Sequence, residues 1–355
     1  MVDVDQIRRC VRCGACRAVC PSFEVMGWES FNTRGRMILI GKIMDGLNGS
    51  WALESLGTCT TCALCSQMCP AGVTPSKVVE DAKRVLASRD ITGAWQRELR
   101  ERISSTGNSL GETGRRHGWL SMLGAEASYD IKALDVKADQ VYFAGCMASY
   151  RYPETAARTF GILRRFGVSI LPSERCCGSP LLRTGLDASE CMEENLRQIN
   201  EMDVDVVITG CAGCYTTLKN DYGLKVMSVA EFLAARVSEL EIRPLDFTVT
   251  YHDPCHLGRV NGIFDQPRRV IKEICELEEM RSSRELARCC GGGGGVRAGY
   301  RDVSLEIARR RLADAPPEAK YIVTACPMCV RNLNEAGGHG RVVDLVDLVA
   351  MACRR

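Results

Sequence analysis

Residues 288–296 read Arg-Cys-Cys-Gly-Gly-Gly-Gly-Gly-Val, two adjacent cysteines followed by five glycines. Adjacent cysteines do not easily bond to each other, because two neighbouring Cα atoms do not reach unstrained disulfide geometry. Both thiolates can instead bind one inorganic centre, and the glycines let the backbone approach it, adopt positive φ and leave room for a substrate. A shorter version, Cys-Cys-Gly, occurs at residues 176–178. The two stretches predict two related metal centres.

The composition limits the class of protein. The chain has 355 residues, 46% hydrophobic and 25% charged, with a net charge of +2, so several ordinary cores are expected and no nucleic-acid partner is. The 21 cysteines exceed ordinary usage. A secreted disulfide scaffold is the usual explanation, but such scaffolds are short. No secretory signal precedes Cys10 and no apolar run reaches about 18 residues. We therefore expect a cytoplasmic protein without a membrane span of its own, brought to a membrane only through a partner subunit.

Two runs near the amino terminus have the spacing C-x2-C-x2-C-x3-C-P. In bacterial ferredoxins the first three cysteines of such a run hold one [4Fe–4S] cubane and the fourth holds the other. Zinc sites also use C-x2-C pairs, but they do not need a third close cysteine and a fourth before proline. The predicted ligands are Cys10, Cys13, Cys16 and Cys69 for one cubane, and Cys59, Cys62, Cys65 and Cys20 for the other.

Helical patterns surround the two runs. Apolar residues recur at helical spacing over residues 33–44, and residues 5–9 and 75–88 have similar patterns. Residues 1–84 are therefore expected to form a helical ferredoxin domain with two cubanes. Arg34 and Arg36 either stabilise the reduced clusters or form ordinary surface ion pairs.

Residues 85–137 are predicted to connect this domain to the remainder. A helical pattern covers residues 95–103, and the apolar residues Trp119, Leu120 and Leu123 follow a stretch rich in glycine and serine. Grouped apolar residues on a surface tend to mark contacts, so we expect this connector to lie against the next domain or a partner. A flexible surface loop is the alternative.

Residues 138–355 contain one pattern twice. In each copy a strand precedes a lone cysteine, a helix leads to Cys-Cys-Gly, and a second helix and strand lead to C-x2-C. Strands alternating with helices predict α/β units with parallel sheets, which bind ligands just beyond their strand ends. We expect one such domain at 138–240 and a second at 241–355. The predicted strands begin at residues 140, 206, 247 and 321, and the predicted helices cover 154–166, 189–201, 266–275 and 304–313.

Each copy supplies five cysteines, more than a cubane needs, which predicts an unusual, larger or more open iron–sulfur centre. The first set is Cys146, Cys176, Cys177, Cys211 and Cys214, and the second is Cys255, Cys289, Cys290, Cys326 and Cys329. The three remaining cysteines, Cys191, Cys275 and Cys353, are interpreted as small buried hydrophobic residues.

Two CCG-type cysteine-rich domains behind two ferredoxin runs resemble heterodisulfide reductase over nearly the whole chain, as if its ferredoxin-type and catalytic subunits were fused. The resemblance implies that each five-cysteine set holds a noncubane [4Fe–4S] cluster. It also implies cleavage of a disulfide between coenzyme M and coenzyme B, or a similar small-molecule disulfide, with an iron that takes the substrate sulfur.

Relatives of this architecture have other activities, so a second function stays open. The iron–sulfur subunits of flavin-dependent glycolate, lactate and glycerol-3-phosphate dehydrogenases have similar domains and only transfer electrons. Their CCG sets are often incomplete, whereas both sets here are complete. That difference favours the disulfide reductase.

The chain has no evident flavin or nucleotide motif, because the glycine run lacks the lysine of a phosphate-binding loop. A partner must therefore donate electrons: a flavoprotein, a hydrogenase-type module or a membrane cytochrome b. His252 and His256 flank Cys255 and are candidates to protonate a departing thiolate, or to pack and hydrogen-bond near the centre. No residue is assigned as the catalytic acid or base.

Overall fold

A computed structural model describes residues 2–123 and 138–353 of the chain. Its amino-terminal part is helical, and the helices expected at 5–9, 33–44, 75–88 and 95–103 are all present. The helices are α1 (Val4–Arg9), α2 (Pro21–Met26), α3 (Thr33–Met44), α4 (Leu53–Gly57), α5 (Leu64–Gln67), α6 (Pro75–Ser88) and α7 (Ala94–Thr106).

Two helices form the centre of this part. The Asn32 side chain accepts a hydrogen bond from Gly35 N at 3.1 Å and so caps the start of α3. Proline occupies the first position of α6, where its missing N–H costs no hydrogen bond. The two helices pack together and bury an apolar core that includes Ile40, Ile43 and Val79. This small core holds the two ferredoxin runs in place.

Two four-stranded parallel sheets follow, which confirms the predicted α/β architecture. The first has the order β2-β1-β3-β4 and the second the order β6-β5-β7-β8. The two-residue edge strands β2 and β6 were not predicted, because they are too short to leave a periodic signal. The strands are β1 (Gln140–Tyr142), β2 (Ser169–Ile170), β3 (Val206–Thr209), β4 (Val226–Ser228), β5 (Thr248–Tyr251), β6 (Glu276–Leu277), β7 (Tyr321–Thr324) and β8 (Val342–Asp344).

Helices cover the sheets and join the two units reciprocally. The first long helix of unit one, α9, packs on the last helix of unit two, α18. The first long helix of unit two, α14, packs on the last helix of unit one, α13. Both units contribute to one continuous apolar core. The helices are α8 (Gly145–Arg151), α9 (Pro153–Leu163), α10 (Ser179–Leu182), α11 (Ser189–Glu201), α12 (Ala212–Asn220), α13 (Val229–Arg236), α14 (Asp265–Ile274), α15 (Val296–Gly299), α16 (Arg301–Leu312), α17 (Pro327–Leu333) and α18 (Leu345–Ala352). The domain bounds at 84, 137 and 240 stay predictions.

The described part of the connector, up to residue 123, lies against the first α/β unit. Trp119 and Leu120 are buried rather than exposed, and the Trp119 ring meets Tyr142 and Phe160 edge-on at centroid distances of 6.1 and 5.6 Å. Leu123 packs at the border of the same core. The connector therefore contributes to the core of this unit, and residues 124–137 lie outside the described residues.

Replacing Trp119 by alanine is expected to lower the free energy of unfolding by about 3–5 kcal/mol, because the change leaves a large cavity among buried rings. Met122, three residues further on, is 53% exposed, so Met122→Ala is the matched control and should change stability by less than about 0.5 kcal/mol. Denaturant unfolding of the metal-loaded protein measures both. Equal losses in the two variants would show that the connector does not stabilise the unit.

Among the described residues, none of the helices has both the length and the hydrophobicity that crossing a lipid bilayer requires.

Candidate metal centres

The cysteines assigned to the first cubane surround one small cavity. Its lining includes Cys10, Cys13, Cys16 and Cys69, so the fourth cysteine of the second run meets the first three of the first run. Arg34 also lines this cavity and forms an ion pair with Glu29 at 2.6 Å. Four thiols surround this cavity, which fits an iron–sulfur cluster.

The second ferredoxin set is more deeply buried. Burial raises the pKa of the Cys59 and Cys65 thiols, and the nearby Cys20 thiol raises both further. Cys65 is also close to Cys62, whereas Cys20 is close to Cys16 of the first set as well. Cys20 therefore lies between the two groups, as expected for a cysteine that crosses from one run to the other centre.

The two arginines of α3 differ in their surroundings. Arg36 is fully buried, and its guanidinium donates to Ser55 O at 2.7 Å, to Thr58 Oγ1 at 3.0 Å and to Cys20 Sγ at 3.7 Å. A surface ion pair is therefore the wrong interpretation for Arg36. Its charge beside a ligand candidate stabilises negative charge at the second ferredoxin set.

The five cysteines of each CCG set come from the carboxyl ends of three neighbouring parallel strands. In the first unit they follow β1, β2 and β3, and in the second they follow β5, β6 and β7. The central pair of strands in each sheet, β1–β3 and β5–β7, is where the strand order reverses, the usual position for a ligand in an open parallel sheet. Eight of the ten cysteines are buried, and Cys211 and Cys255 are partly exposed.

Within each set the thiols lie in hydrogen-bonding contact. In the first unit the contacts run from Cys146 to Cys176, on to Cys177, then to Cys214 and Cys211. In the second unit they run from Cys255 to Cys289, Cys290, Cys329 and Cys326, with 3.3 Å between Cys329 Sγ and Cys290 Sγ. Five neighbouring sulfur donors, four of them buried, fit one iron–sulfur centre in each unit.

Two further contacts join the sets to one another. The Cys211 thiol of the first unit lies next to the Cys326 thiol of the second. Cys62 of the ferredoxin part is likewise in contact with Cys289. Ten thiols therefore form an unbroken succession from the second ferredoxin set, through the second CCG set, to the first CCG set, and Cys255 lies beside Cys289 as a branch.

The glycine run has a different role from the one its composition suggested. Cβ atoms at Gly293 and Gly294 would meet or overlap the carbonyl groups of Thr60 and Cys59, and one at Gly295 would meet the rings of Trp95. The space beside these glycines is therefore filled by protein and is not open to a substrate. The missing side chains let the second CCG unit approach the backbone that carries Cys59 and Cys62.

Polar side chains also stabilise the interface between the ferredoxin part and the CCG units. Lys83 of α6 is buried and donates to Gly294 O at 3.0 Å and Arg183 O at 3.2 Å, so it joins the ferredoxin part to both CCG units. Its ammonium group also lies close enough to the Cys59 thiol to lower the pKa of that cysteine, against the larger effect of burial. His256 Nε2 donates to Thr61 O at 3.1 Å. His256 therefore holds the two parts together.

His252 lies beside the second CCG set. Its ring and the thiols of Cys290 and Cys329 place their potential ligand atoms within 4.8 Å of one another. Arg311 Nε donates to His252 Nδ1 at 2.9 Å. An arginine can only donate, so Nδ1 is unprotonated and the neutral ring carries its proton on Nε2. Burial, together with the Arg311 charge, lowers the pKa of His252 to about 3, so at neutral pH this ring is a hydrogen-bond donor and not an imidazolium acid.

A buried ion pair beside the first CCG set could not be anticipated from the sequence. The Glu174 carboxylate accepts from Ala144 N at 2.8 Å and Gly145 N at 2.9 Å, and it also binds Arg116. Arg116 Nη1 approaches Cys146 Sγ at 3.6 Å. Neither residue lies in a motif, and Arg116 comes from the connector, so only the folded chain brings this cation to a ligand candidate.

The three cysteines outside the sets differ in burial. Cys191 is buried in α11, as expected. Cys275 and Cys353 are only partly buried, because they lie just beyond the carboxyl ends of surface helices.

Comparison with known families agrees with this architecture. Residues 6–73 match the 4Fe–4S dicluster domain, and residues 140–219 and 249–334 each match the CCG cysteine-rich domain. The chain therefore contains iron–sulfur cluster domains of both kinds.

Known relatives match this chain over nearly its whole length. The chain is 31% identical to a subunit of the fumarate reductase (CoM/CoB) of Methanothermobacter marburgensis, over 99% of this chain and 73% of that protein. It is 30% identical to a subunit of the dihydromethanophenazine:CoB–CoM heterodisulfide reductase of Methanosarcina barkeri, over 99% and 95%. A probable glycolate oxidase iron–sulfur subunit of Bacillus subtilis is 26% identical over the same shares. With both domain types matched and whole-length relatives of this identity, the chain belongs to the heterodisulfide reductase family of fused ferredoxin-type and CCG-domain iron–sulfur oxidoreductase subunits.

Proposed function

We propose that this protein reduces a small-molecule disulfide with electrons from a partner protein. The reaction consumes one disulfide, two electrons and two protons and releases two thiols. The observation that carries the proposal is the unbroken succession of ten thiols from Cys62 to Cys146, with Cys255 beside Cys289, which joins both complete CCG sets to the ferredoxin part. A chain that only passes electrons onward needs no pair of five-thiol sets in contact.

The eighteen cysteines of the four sets are the proposed ligands. Cys10, Cys13, Cys16 and Cys69 would hold one cubane, and Cys59, Cys62, Cys65 and Cys20 the other. Cys146, Cys176, Cys177, Cys211 and Cys214 would hold one noncubane [4Fe–4S] cluster, and Cys255, Cys289, Cys290, Cys326 and Cys329 the second. When bound, the cubanes supply one-electron relays and the noncubane centres supply the iron chemistry that reduces a disulfide.

The residues around these cysteines have separate tasks. Burial of eight of the ten thiols limits the access of water to both CCG sets. The guanidinium groups of Arg36 and Arg116 stabilise negative charge at Cys20 and Cys146. His252, held by Arg311, places a neutral ring beside Cys290 and Cys329. The protons for the two product thiols come from solvent.

The names of the relatives narrow the substrate class. Two of them contain CoM and CoB in their names, one as a heterodisulfide reductase and one as a fumarate reductase. A disulfide of two small charged thiols, such as the coenzyme M–coenzyme B heterodisulfide, is therefore the proposed substrate. The proposed electron donor is a flavoprotein, a hydrogenase-type module or a membrane cytochrome b.

Iron analysis and a disulfide assay test the proposal. Anaerobically purified protein should contain about sixteen iron atoms per chain, because two cubanes and two four-iron CCG centres are expected. Reduced viologen should drive cleavage of the heterodisulfide to two free thiols, which a thiol reagent counts. Protein with full iron content that releases no thiol under these conditions would refute the disulfide reductase.

Replacing Cys62 by serine is expected to remove one cubane and slow partner-driven reduction, because its sulfur lies at the contact with the second CCG set. Viologen-driven cleavage should persist in part, because a small reductant can reach other centres. Electron paramagnetic resonance would report the lost cubane. Partner-driven turnover at the normal rate without that cubane would contradict the relay assignment.

An electron-transfer subunit of a flavin-dependent dehydrogenase is the second candidate. The similarity to the glycolate oxidase iron–sulfur subunit favours it. In that case reduced clusters would be oxidised by a quinone or another chain, and no disulfide would be cleaved. The same thiol-release assay separates the two functions.

A further inference from the structure

The surface around the first ferredoxin set has features that the succession of thiols does not explain. All 21 cysteines lie in the described residues, and Cys13 is the only exposed one among them. A ligand candidate open to solvent marks the place where this chain can exchange electrons with another protein.

Exposed apolar side chains are concentrated in the same part of the molecule. Of the eleven exposed large hydrophobic residues in 2–123 and 138–353, seven lie before residue 85, which is under a quarter of the chain. The two most exposed are Trp28 at 72% and Val11 at 69%. Isolated exposed apolar residues are ordinary, but a concentration of them marks a contact surface.

Three of these residues, Val11, Trp28 and Ile38, are connected through neighbouring residues to the first ferredoxin set. Val11 and Arg12 directly precede Cys13 in the exposed loop. Arg34 lies against Gly14, 2.9 Å from where a Cβ would be, and it binds Glu29, the neighbour of Trp28. Ile38, 38% exposed, lies one helical turn beyond Arg34 on α3. We name the surface formed by Val11, Arg12, Cys13, Trp28 and Ile38 the docking face.

The charge at this face is basic. Arg8, Arg9, Arg12 and Arg17 are all exposed and lie within five residues of Cys13 in the chain. Arg8 and Arg17 have carboxylate neighbours at 3.6 and 3.8 Å, whereas Arg9 and Arg12 form no ion pair with any residue the structure describes. Unpaired arginines around an apolar centre attract an acidic partner and speed its approach.

We propose that the docking face binds the electron-donating protein, a redox carrier or subunit whose own contact surface is acidic, and so brings the donor centre next to Cys13. The inference rests on the proposed relay through the ferredoxin part. One electron passes per encounter, from the reduced donor to this chain, and two encounters supply one disulfide. Apolar contacts among Trp28, Val11 and Ile38 fix the position, and the arginine rim sets the rate of association.

The test uses the metal-loaded full chain and two donors. A purified, prereduced acidic two-[4Fe–4S] ferredoxin serves as the protein donor and reduced methyl viologen as the small donor, with cluster bleaching followed by stopped-flow absorbance. Trp28→Ser and Arg12→Glu are the test variants. Trp51→Ser, at a tryptophan 50% exposed, and Arg269→Glu, at an exposed arginine of α14 without an ion pair among the described residues, are the matched controls.

The ferredoxin should reduce both test variants at least tenfold more slowly than the unsubstituted chain. Added salt should also slow its reduction of the unsubstituted chain, because exposed charges steer the encounter. Iron content should be unchanged in both test variants, viologen reduction and the paramagnetic signals should be unchanged in Trp28→Ser, and the two controls should behave as the original chain. Test variants that match their controls would overturn the docking face.

Two other outcomes separate this proposal from the proposed function. The unsubstituted chain could accept electrons from viologen and cleave the disulfide, yet accept none from the acidic ferredoxin. In that case the acidic partner is wrong and the reductase stands. If Trp28→Ser instead changes the oligomeric state in size-exclusion chromatography without slowing reduction, the face binds a second copy of the chain and the proposal fails. If viologen reduces no cluster in the ferredoxin part, the relay itself is refuted.

Discussion

Replacing Cys290 by alanine is expected to reduce disulfide cleavage to the background rate, with any reductant. Cys290 is buried and contacts both Cys289 and Cys329, the latter at 3.3 Å, so it occupies the middle of the second CCG set. Hydrogen bonds from these two thiols hold the pKa of Cys290 well below its ordinary value, which favours the thiolate that a metal needs. Removing a residue that hydrogen-bonds a metal ligand typically lowers metal affinity or activity about 10–100-fold. Removing a ligand itself should therefore lower activity further.

The Cys290→Ala substitution should also change the paramagnetic spectrum. The paramagnetic signal that appears on oxidation in the presence of one thiol product should disappear, whereas the ferredoxin signals should survive, because their cysteines lie in another part of the chain. Cys275→Ala is the control, since this cysteine is in the same unit but outside both sets. Normal disulfide reduction by a Cys290→Ala protein that lacks the signal would refute the assignment of this site.

Replacing Gly294 by alanine is expected to slow electron transfer from the ferredoxin part to the CCG units by about tenfold to a hundredfold, because small displacements between reacting groups have effects of that order. Gly294 has φ of +65°, and a Cβ there would overlap the Cys59 carbonyl oxygen and lie 2.8 Å from Thr60 C. The loop must then move away from the backbone between Cys59 and Cys62. The contact between Cys62 and Cys289 lies at this interface and would lengthen.

Gly223→Ala separates this effect from backbone strain. Gly223 also has positive φ, at +78°, but nothing lies within 4 Å of the position that a Cβ would take there, so both variants share a conformational cost of about 1–3 kcal/mol and only one has a clash. Partner-driven and viologen-driven turnover should be compared in both. Equal partner-driven rates in the two variants would mean that close approach of the glycine run is not needed for transfer.

Local patterns predicted much of the fold. The helix at residues 33–44, the helix at 75–88 and the strand at 206–209 occur where expected, because neighbouring residues alone produce their hydrophobic periods, caps and proline positions. The grouping of cysteines was also readable, since ligands of one centre recur at short spacings after strand ends. Strands β2 and β6 escaped prediction because two residues carry no period.

What the sequence by itself determined is therefore the kind of domains, and it predicted which thiols belong to each set. Only the tertiary structure decided that Cys62 meets Cys289, that Cys211 meets Cys326, and that Trp119 is a core residue. The physical reason is separation along the chain. The spacing of residues in a sequence predicts contacts between near neighbours, whereas these contacts join segments that are far apart in the chain. They depend on the reciprocal packing of α9 on α18 and α13 on α14, and on glycines 293 and 294 whose missing side chains let one unit reach the other.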